Sequence, residues 1–220
     1  MVVILLGPPG VGKGTQGVRL TEALDWSRIS TGDLLREACR EGTPLGLRAK
    51  AFMDAGELVP DELILEMVQE KVSQHPPDQG IIFDGFPRTT GQAEALDQVL
   101  PAVGRRVDRV VVLEAPDEVL IRRVSGRRVS PSGRVYNVHY DPPKVPGKCD
   151  HSGEDLEHRR DDHEETVRRR LEVYREQTEP LIRFYEEHEA AVVRVDGDRP
   201  MAEVENDVIQ AASGPLPEGV

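Results

Sequence analysis

Five apolar residues, Val2-Val3-Ile4-Leu5-Leu6, run directly into Gly7-Pro8-Pro9-Gly10-Val11-Gly12-Lys13-Gly14-Thr15, and the helical stretch Gly14 to Leu24 follows at once. A buried strand, a glycine-rich loop and a helix in that order leave a chain few folds to adopt. The glycines permit a tight loop whose N–H groups face inward, and the helix N-terminus adds partial positive charge, so the unit cradles phosphate. Lys13 would reach the β and γ phosphates as a mobile point charge. The strict pattern sets Ser or Thr directly after the Lys; here Gly14 intervenes and Thr15 carries the hydroxyl.

The rest of the chain alternates in the same style. Val2 to Leu6, Arg28-Ile29, Ile81 to Phe83, Arg109 to Leu113 and Ala191 to Val195 are apolar runs bounded by Gly, Pro or Asp, as in parallel strands covered on both faces. Helical stretches lie between them: Gly32 to Glu41, Asp61 to Ser73, Gly91 to Leu100, Asp117 to Val124, Asp161 to Glu189 and Met201 to Ala212. Pro180 is expected to kink the long one after Glu179, because its ring removes a backbone donor. Such βαβ alternation predicts an α/β fold with an open, five-stranded parallel sheet flanked by helices. Asp61 reads as the acid at a helix start.

Two segments break the alternation. Residues 30–59 insert a small helical piece, and residues 126–162 are rich in Pro, Gly, Tyr and charge, long enough to be a lid or binding element. The chain then divides into a core made of 1–29, 60–125 and 163–220, with two insertions, 30–59 and 126–162. The tail Ser213 to Val220 holds two prolines and little to bury, and is expected to fray.

Composition narrows the class. At 220 residues the chain is about one and a half times the ~150-residue prior for a domain. Forty acidic against 28 basic residues, a net charge of -12, repel polyanions and argue against a nucleic-acid binder. No run approaches the ~20 apolar residues of a membrane span, and no export signal is visible at the N-terminus. Cys39 and Cys149 stand alone, which excludes a disulfide framework and favours a reducing cytoplasm. Lys occurs only at 13, 50, 71, 144 and 148, so 23 of the 28 basic residues are Arg, the better side chain for bidentate phosphate contacts.

Further motifs specify the chemistry. Gly-Lys-Gly-Thr, Ser30-Thr31-Gly32-Asp33 with Arg36, Asp84-Gly85-Phe86-Pro87-Arg88 with Gln92, and Gly126-Arg127-Arg128 together resemble the adenylate kinases among the nucleoside monophosphate kinases. Arg159-Arg160-Asp161-Asp162 and Glu164-Glu165-Thr166-Val167-Arg168-Arg169-Arg170 extend the resemblance from Met1 to about Ala211, in the long-lid form. It implies a P-loop core with an NMP-binding insertion at 30–59 and a lid at 126–162.

The resemblance also distributes roles. Gly10, Val11, Gly12, Lys13, Gly14 and Thr15, with Arg123, Arg127, Val135, Tyr136 and the backbone near Arg199, would hold ATP. Thr31, Arg36, the Glu57-Leu58-Val59 backbone, Gly85, Phe86, Pro87, Arg88 and Gln92, with Arg159 and Arg170, would hold AMP. Lys13, Arg88, Arg127, Arg159 and Arg170 would serve the transfer step, and Arg123 would stack on the donor base. Arg128, Arg160, Arg168 and Arg169 are expected in surface or salt-bridge positions, with Asp161 and Asp162 orienting the lid arginines. Asp84, ending the third strand, resembles a Walker B carboxylate that holds Mg²⁺ through its waters, with Asp33 as a second outer-shell acid. No protein group is expected to ligate the ion directly.

Some relatives bind a structural zinc in the lid through cysteines. The corresponding places here are Ser130, Ser132, Cys149 and Ser152, one thiol and three hydroxyls, so no zinc is expected despite the nearby His139 and His151. The other histidines, 75, 158, 163 and 188, read as surface residues. The implied reaction is reversible, Mg²⁺-dependent transfer of the terminal phosphoryl group of ATP to AMP, giving two ADP, by a cytoplasmic monomer. An acceptor phosphate is already nucleophilic, so charge neutralisation and alignment suffice. The alternatives are UMP or CMP as acceptor, GTP as donor, or a nucleotide-switched P-loop binding protein; a switch has no use for a second phosphate clamp at Arg36 and Arg88.

Overall fold

The computed structural model describes every residue except Pro77, Glu189 and 216–220. Strands β1 (Val2–Leu6), β2 (Ser27–Ser30), β3 (Ile81–Asp84) and β4 (Arg109–Glu114) alternate with helices α1 (Lys13–Leu24), α2 (Thr31–Glu41), α3 (Pro44–Ala55), α4 (Asp61–Ser73), α5 (Thr90–Ala102) and α6 (Asp117–Ser125). A short pair, β5 (Arg127–Val129) and β6 (Val135–Asn137), precedes α7 (Glu164–Val173), α8 (Leu181–Glu187), β7 (Ala191–Asp196) and α9 (Met201–Ser213). The main sheet has five strands in the order β2-β3-β1-β4-β7, all parallel, as the sequence predicts.

The sheet is buried on both faces because its strands carry apolar side chains on both. Val2, Ile4 and Leu6 of β1 pack with Ile64, Val68, Leu96, Leu100 and Tyr185. Val3 and Leu5 point the other way, against Leu20, Leu120, Val124, Val167 and Val208. Each fully buried Leu or Ile contributes about 1.5–3 kcal/mol of transfer free energy, so these two layers fix the sheet and everything its strand ends carry. The chain winds from β1 to β2 and β3 on one side, then crosses to β4 and β7 on the other. The crevice above the carboxyl end of β1 is therefore the switch point where such sheets bind ligands.

Three departures from the sequence reading have local causes. The segment 30–59 contains two helices, since α3 starts on its own cap: the Thr43 hydroxyl accepts from Gly46 N at 3.1 Å and Pro44 opens the first turn. The expected helix 161–189 is instead a 3₁₀ turn at Arg160–Asp162, α7, a π turn at Tyr174–Thr178, and α8. The chain widens before Pro180, with Glu179 N donating to Tyr174 O at 2.8 Å, so the missing proline donor is accommodated by an extra residue per turn rather than by a simple kink. Glu189, its expected last residue, lies outside the described residues, as do 216–220 of the tail expected to fray.

The long segment 126–162 is not a plain loop. β5 and β6 pair antiparallel, Arg128 opposite Tyr136, and bridges Val129–Glu157, Asn137–Asp141 and Lys148–Asp155 tie the returning chain to them. His75 and His158 are half-buried, each with Nε2 enclosed and without a partner, which corrects the reading of both as surface residues. His158 packs on the His163 ring at 4.6 Å.

Candidate functional site

The loop between β1 and α1 depends on glycine where the backbone leaves no alternative. A side chain on Gly7 (φ 145°) would meet Leu113 O at 2.4 Å, and Gly12, the N-cap of α1, sits at φ 110°. No side chain caps α1, so its leading N–H groups remain available to an anion. Lys13 folds back over the loop and donates to Gly7 O at 2.6 Å and Pro8 O at 2.9 Å. The side chain is partly open to solvent, but its ammonium is enclosed by protein. Burial lowers its pKa to about 7, opposed by Asp84 and reinforced by Arg88, Arg170 and Arg127. All four lie near enough to act on Lys13.

The opposite wall comes from the ends of β2 and β3. Register places Ser30 beside Asp84, which brings Thr31 to Gly85: the Thr31 hydroxyl donates to Gly85 O at 2.7 Å. One cleft is lined by Lys13, Thr31, Arg36, Glu57, Leu58, Val59, Gly85, Pro87, Arg88, Gln92 and Arg170. Eleven positions scattered from 13 to 170 thus meet in one place. Phe86 instead turns into the core, fully buried against Phe83 with ring centroids 5.8 Å apart. Arg88 Nε donates to Gly85 O at 2.8 Å. Burial and the Arg170 charge push the Arg88 pKa down to about 10, a cationic group short of anions.

The remaining arginines gather around two acids. Arg127 Nε donates to Asp162 Oδ2 at 2.8 Å, and its other nitrogen pairs with Oδ1 of the same fully buried carboxylate. Arg170 Nη1 donates to both Asp161 O and Asp161 Oδ2 at 3.0 Å. Burial, with Arg36 and Arg127 nearby, lowers Arg159 to about 10. Asp161 and Asp162 therefore orient arginines, as the sequence reading expects. Arg160 and Arg169 pair with Asp54 and Glu57 of the 30–59 segment, and Arg168 pairs with Glu164.

Other expected site residues stand further out. Arg123 donates to Gly197 O at 2.7 Å, beside the loop after β7. Arg199 is exposed and paired with Glu203 and Asp207. Val135 is exposed, whereas the Tyr136 hydroxyl donates to or accepts from Cys149 Sγ at 3.5 Å and accepts from Asp150 N at 2.9 Å. The Tyr136 ring is thus an internal post of the β5–β6 unit and is not presented to a ligand.

Arg28 was missed in the sequence, where it reads only as part of a short strand. Its guanidinium spans Asp84 Oδ2 and Asp33 Oδ2, each at 2.7 Å. The two acids therefore already share a cationic partner. They fit an ion held through water, and among the described residues no three His, Cys, Asp or Glu side chains cluster as direct ligands. Asp61, Tyr174 and Thr178 were also missed; Tyr174 and Thr178 line the cleft from the π turn, which no periodicity in the sequence marks.

Comparison with known proteins gives one result throughout. The family model described as adenylate kinase matches residues 5–190. A protein from Chloroherpeton thalassium named adenylate kinase is 51% identical over 210 residues, 94% of this chain and 96% of the relative. One of the same name from Thermodesulfovibrio yellowstonii is 54% identical over 186 residues, 84% and 86% of the two chains. With a phosphate loop on β1, a second cationic wall at the ends of β2 and β3, and this match along most of its length, the chain belongs to the adenylate kinase family.

Proposed function

We propose that this chain catalyses reversible, Mg²⁺-dependent transfer of the γ-phosphoryl group of ATP to AMP, giving two ADP. The observation that carries the reading is the pair of cationic walls in one cleft, Lys13 on the α1 loop and Arg36 with Arg88 across from it. A nucleotide switch needs the first wall alone. ATP takes the loop from Gly10 to Thr15, with Arg123 at its base, and the Val135-Tyr136 and Arg199 segments contribute backbone. AMP takes Thr31, Arg36, the Glu57 to Val59 backbone, Gly85 to Arg88 and Gln92. An acceptor-phosphate oxygen bonds to the γ phosphorus as the bond to the β–γ bridging oxygen breaks.

Charge drives the step. Lys13, Arg88, Arg127, Arg159 and Arg170 surround the moving group, and in a closed, dry site their fields act at low dielectric. Asp84, with Asp33, would hold Mg²⁺ through its water shell. When bound, Mg²⁺ would neutralise charge on the phosphates. Enclosure by the 30–59 and 126–162 segments keeps water from competing with AMP, and the remaining residues form the core. No helix among the described residues is long and apolar enough to cross a membrane. A cytoplasmic monomer is the state we propose.

The test is a single ligand that fills both walls. Two adenosines joined through five phosphates bind at least about a hundredfold more tightly than ATP by calorimetry, since linking makes the second contact intramolecular. Affinity equal to that of ATP overturns the two-wall geometry. A coupled assay offering AMP, CMP, UMP and GMP against ATP and GTP fixes the two bases.

The 126–162 segment holds itself together without zinc. Ser130 and Ser132 Oγ lie 2.8 Å apart, Ser130 Oγ also accepts from Arg134 N at 3.0 Å, and Ser152 Oγ donates to Glu154 at 2.5 Å. Cys149 is committed to Tyr136. Elemental analysis of protein purified without chelator gives well under one zinc per chain; one zinc per chain overturns this.

A further inference from the structure

The Gln92 side chain is gripped from two directions. Its Oε1 accepts from Arg88 N at 2.8 Å, and its Nε2 donates to Asp61 Oδ1 at 2.6 Å. Asp61, the first residue of α4, is itself held, because the Thr89 hydroxyl donates to Asp61 Oδ2 at 2.8 Å. That hydroxyl also accepts from Gln92 N at 3.1 Å as the N-cap of α5. The cluster closes on itself across two helix starts 28 residues apart in the sequence.

The chemistry of the two neighbours removes any freedom in the amide. A carboxylate only accepts and a backbone N–H only donates. Rotating the amide by half a turn would set oxygen against the Asp61 carboxylate and an NH₂ group against the Arg88 N–H, two repulsive contacts in a site where Gln92 is 2% exposed. Each end of the amide keeps one free valence, a hydrogen on Nε2 and a lone pair on Oε1, and Gln92 lines the cleft. A base there meets one donor and one acceptor in an order it cannot reverse.

We propose that Asp61 is the positioning residue that sets acceptor-base selectivity, by locking the Gln92 amide so that it accepts a 6-amino purine and refuses a 6-oxo purine. Adenine offers a ring-nitrogen acceptor beside an exocyclic amino donor, which matches Nε2–H and Oε1. Guanine offers the reverse, an N1–H donor beside the O6 acceptor, and would need the turned amide. The inference rests on the AMP reading given above and adds to it the group that fixes the amide.

Asp61→Asn tests the lock. The asparagine amide can itself turn, so it pairs with Gln92 in either orientation while keeping its volume. A site whose buried polar groups are matched to one partner rejects the mismatched base strongly, so we expect the AMP-over-GMP ratio of kcat/KM to fall at least about tenfold in Asp61→Asn. The change lies in KM: KM for AMP rises severalfold more than kcat falls, and KM for GMP drops. Thr89→Val, which frees the same carboxylate from its other anchor, moves the ratio the same way by less, and serves should Asp61→Asn fail to fold. An unchanged ratio in either folded variant overturns the lock. Gln92→Ala separates the two levels: if it raises KM for AMP while Asp61→Asn leaves the ratio alone, the acceptor site stands and the lock fails. If Gln92→Ala leaves KM for AMP unchanged, the base site itself is misplaced.

Discussion

Lys13→Met is expected to lower kcat about a thousandfold or more, the scale of removing a preorganised group from the charge that develops in the transition state, and to leave the protein folded. Met keeps the apolar stem and deletes the ammonium together with its bonds to Gly7 O and Pro8 O. The same substitution has a pH signature. In the folded protein burial lowers the Lys13 pKa to about 7, against 10.5 for an ordinary Lys. Between those values the unfolded chain binds more protons at this site, so its contribution to stability rises with pH from about 7 to about 10.5. The stability of Lys13→Met relative to the parent is thus greatest at pH 7 and below, and falls as pH rises towards 10.5. Phosphate oxygens require the charged form. ATP binding at pH 8 therefore takes up a proton that it does not take up at pH 6, and the variant shows none. Calorimetry in two buffers of different ionisation heat reads this directly, and equal proton uptake by parent and variant would place the perturbed group elsewhere.

What the sequence shows of this molecule follows from how local each signal is. The phosphate loop was legible because strand, glycines, Lys13 and helix occupy consecutive residues, and the apolar runs of β1, β3 and β4 because burial on both faces leaves no polar alternation to confuse them. The helix α3 was not, since Ala, Gly and Leu between Pro44 and Ala55 give only a weak periodic face. The π turn at Tyr174–Thr178 leaves no mark either, since one extra residue per turn depends on packing rather than composition. In the site, Lys13, Thr31, Arg36, Gly85, Pro87, Arg88, Gln92 and Arg170 of the quoted motifs line one cleft, whereas the Phe86 ring serves the core and Arg160, Arg168 and Arg169 pair with acids outside it. Arg28 and Asp61 have partners as far as 56 and 31 residues away, and those hydrogen bonds exist once β2 lies beside β3 and α4 beside α5. An acid at a helix start reads as a helix-dipole partner until the fold brings Gln92 to it.

The second large effect is expected at Arg88, where activity and stability pull in opposite directions. The Arg88 pKa is lowered to about 10 by burial and by Arg170, with Arg36 adding repulsion and Asp84 and Asp161 opposing it. A group so placed costs stability until an anion arrives, and a dianionic acceptor phosphate is such an anion. Arg88→Met should lower kcat/KM for AMP about a thousandfold, in the range found when an arginine that stabilises phosphoryl transfer is removed. The unliganded protein should meanwhile melt a few degrees higher, roughly the shift that 1 kcal/mol produces in a domain of this size. The side-chain bond lost is from Nε to Gly85 O, and that carbonyl keeps the Thr31 hydroxyl as donor, so no buried acceptor is orphaned. Thermal melts with and without AMP make the check: the parent gains stability on adding AMP and the variant gains little. If Arg88→Met melts lower than the parent without ligand, Arg88 is a structural cation and not one held in reserve for the acceptor phosphate. The argument extends to the whole wall, because Arg159 is lowered to about 10 by the same causes, burial and neighbouring arginines. Cations that repel one another are relieved when an anion binds among them, so a bound phosphate stabilises the wall that it meets.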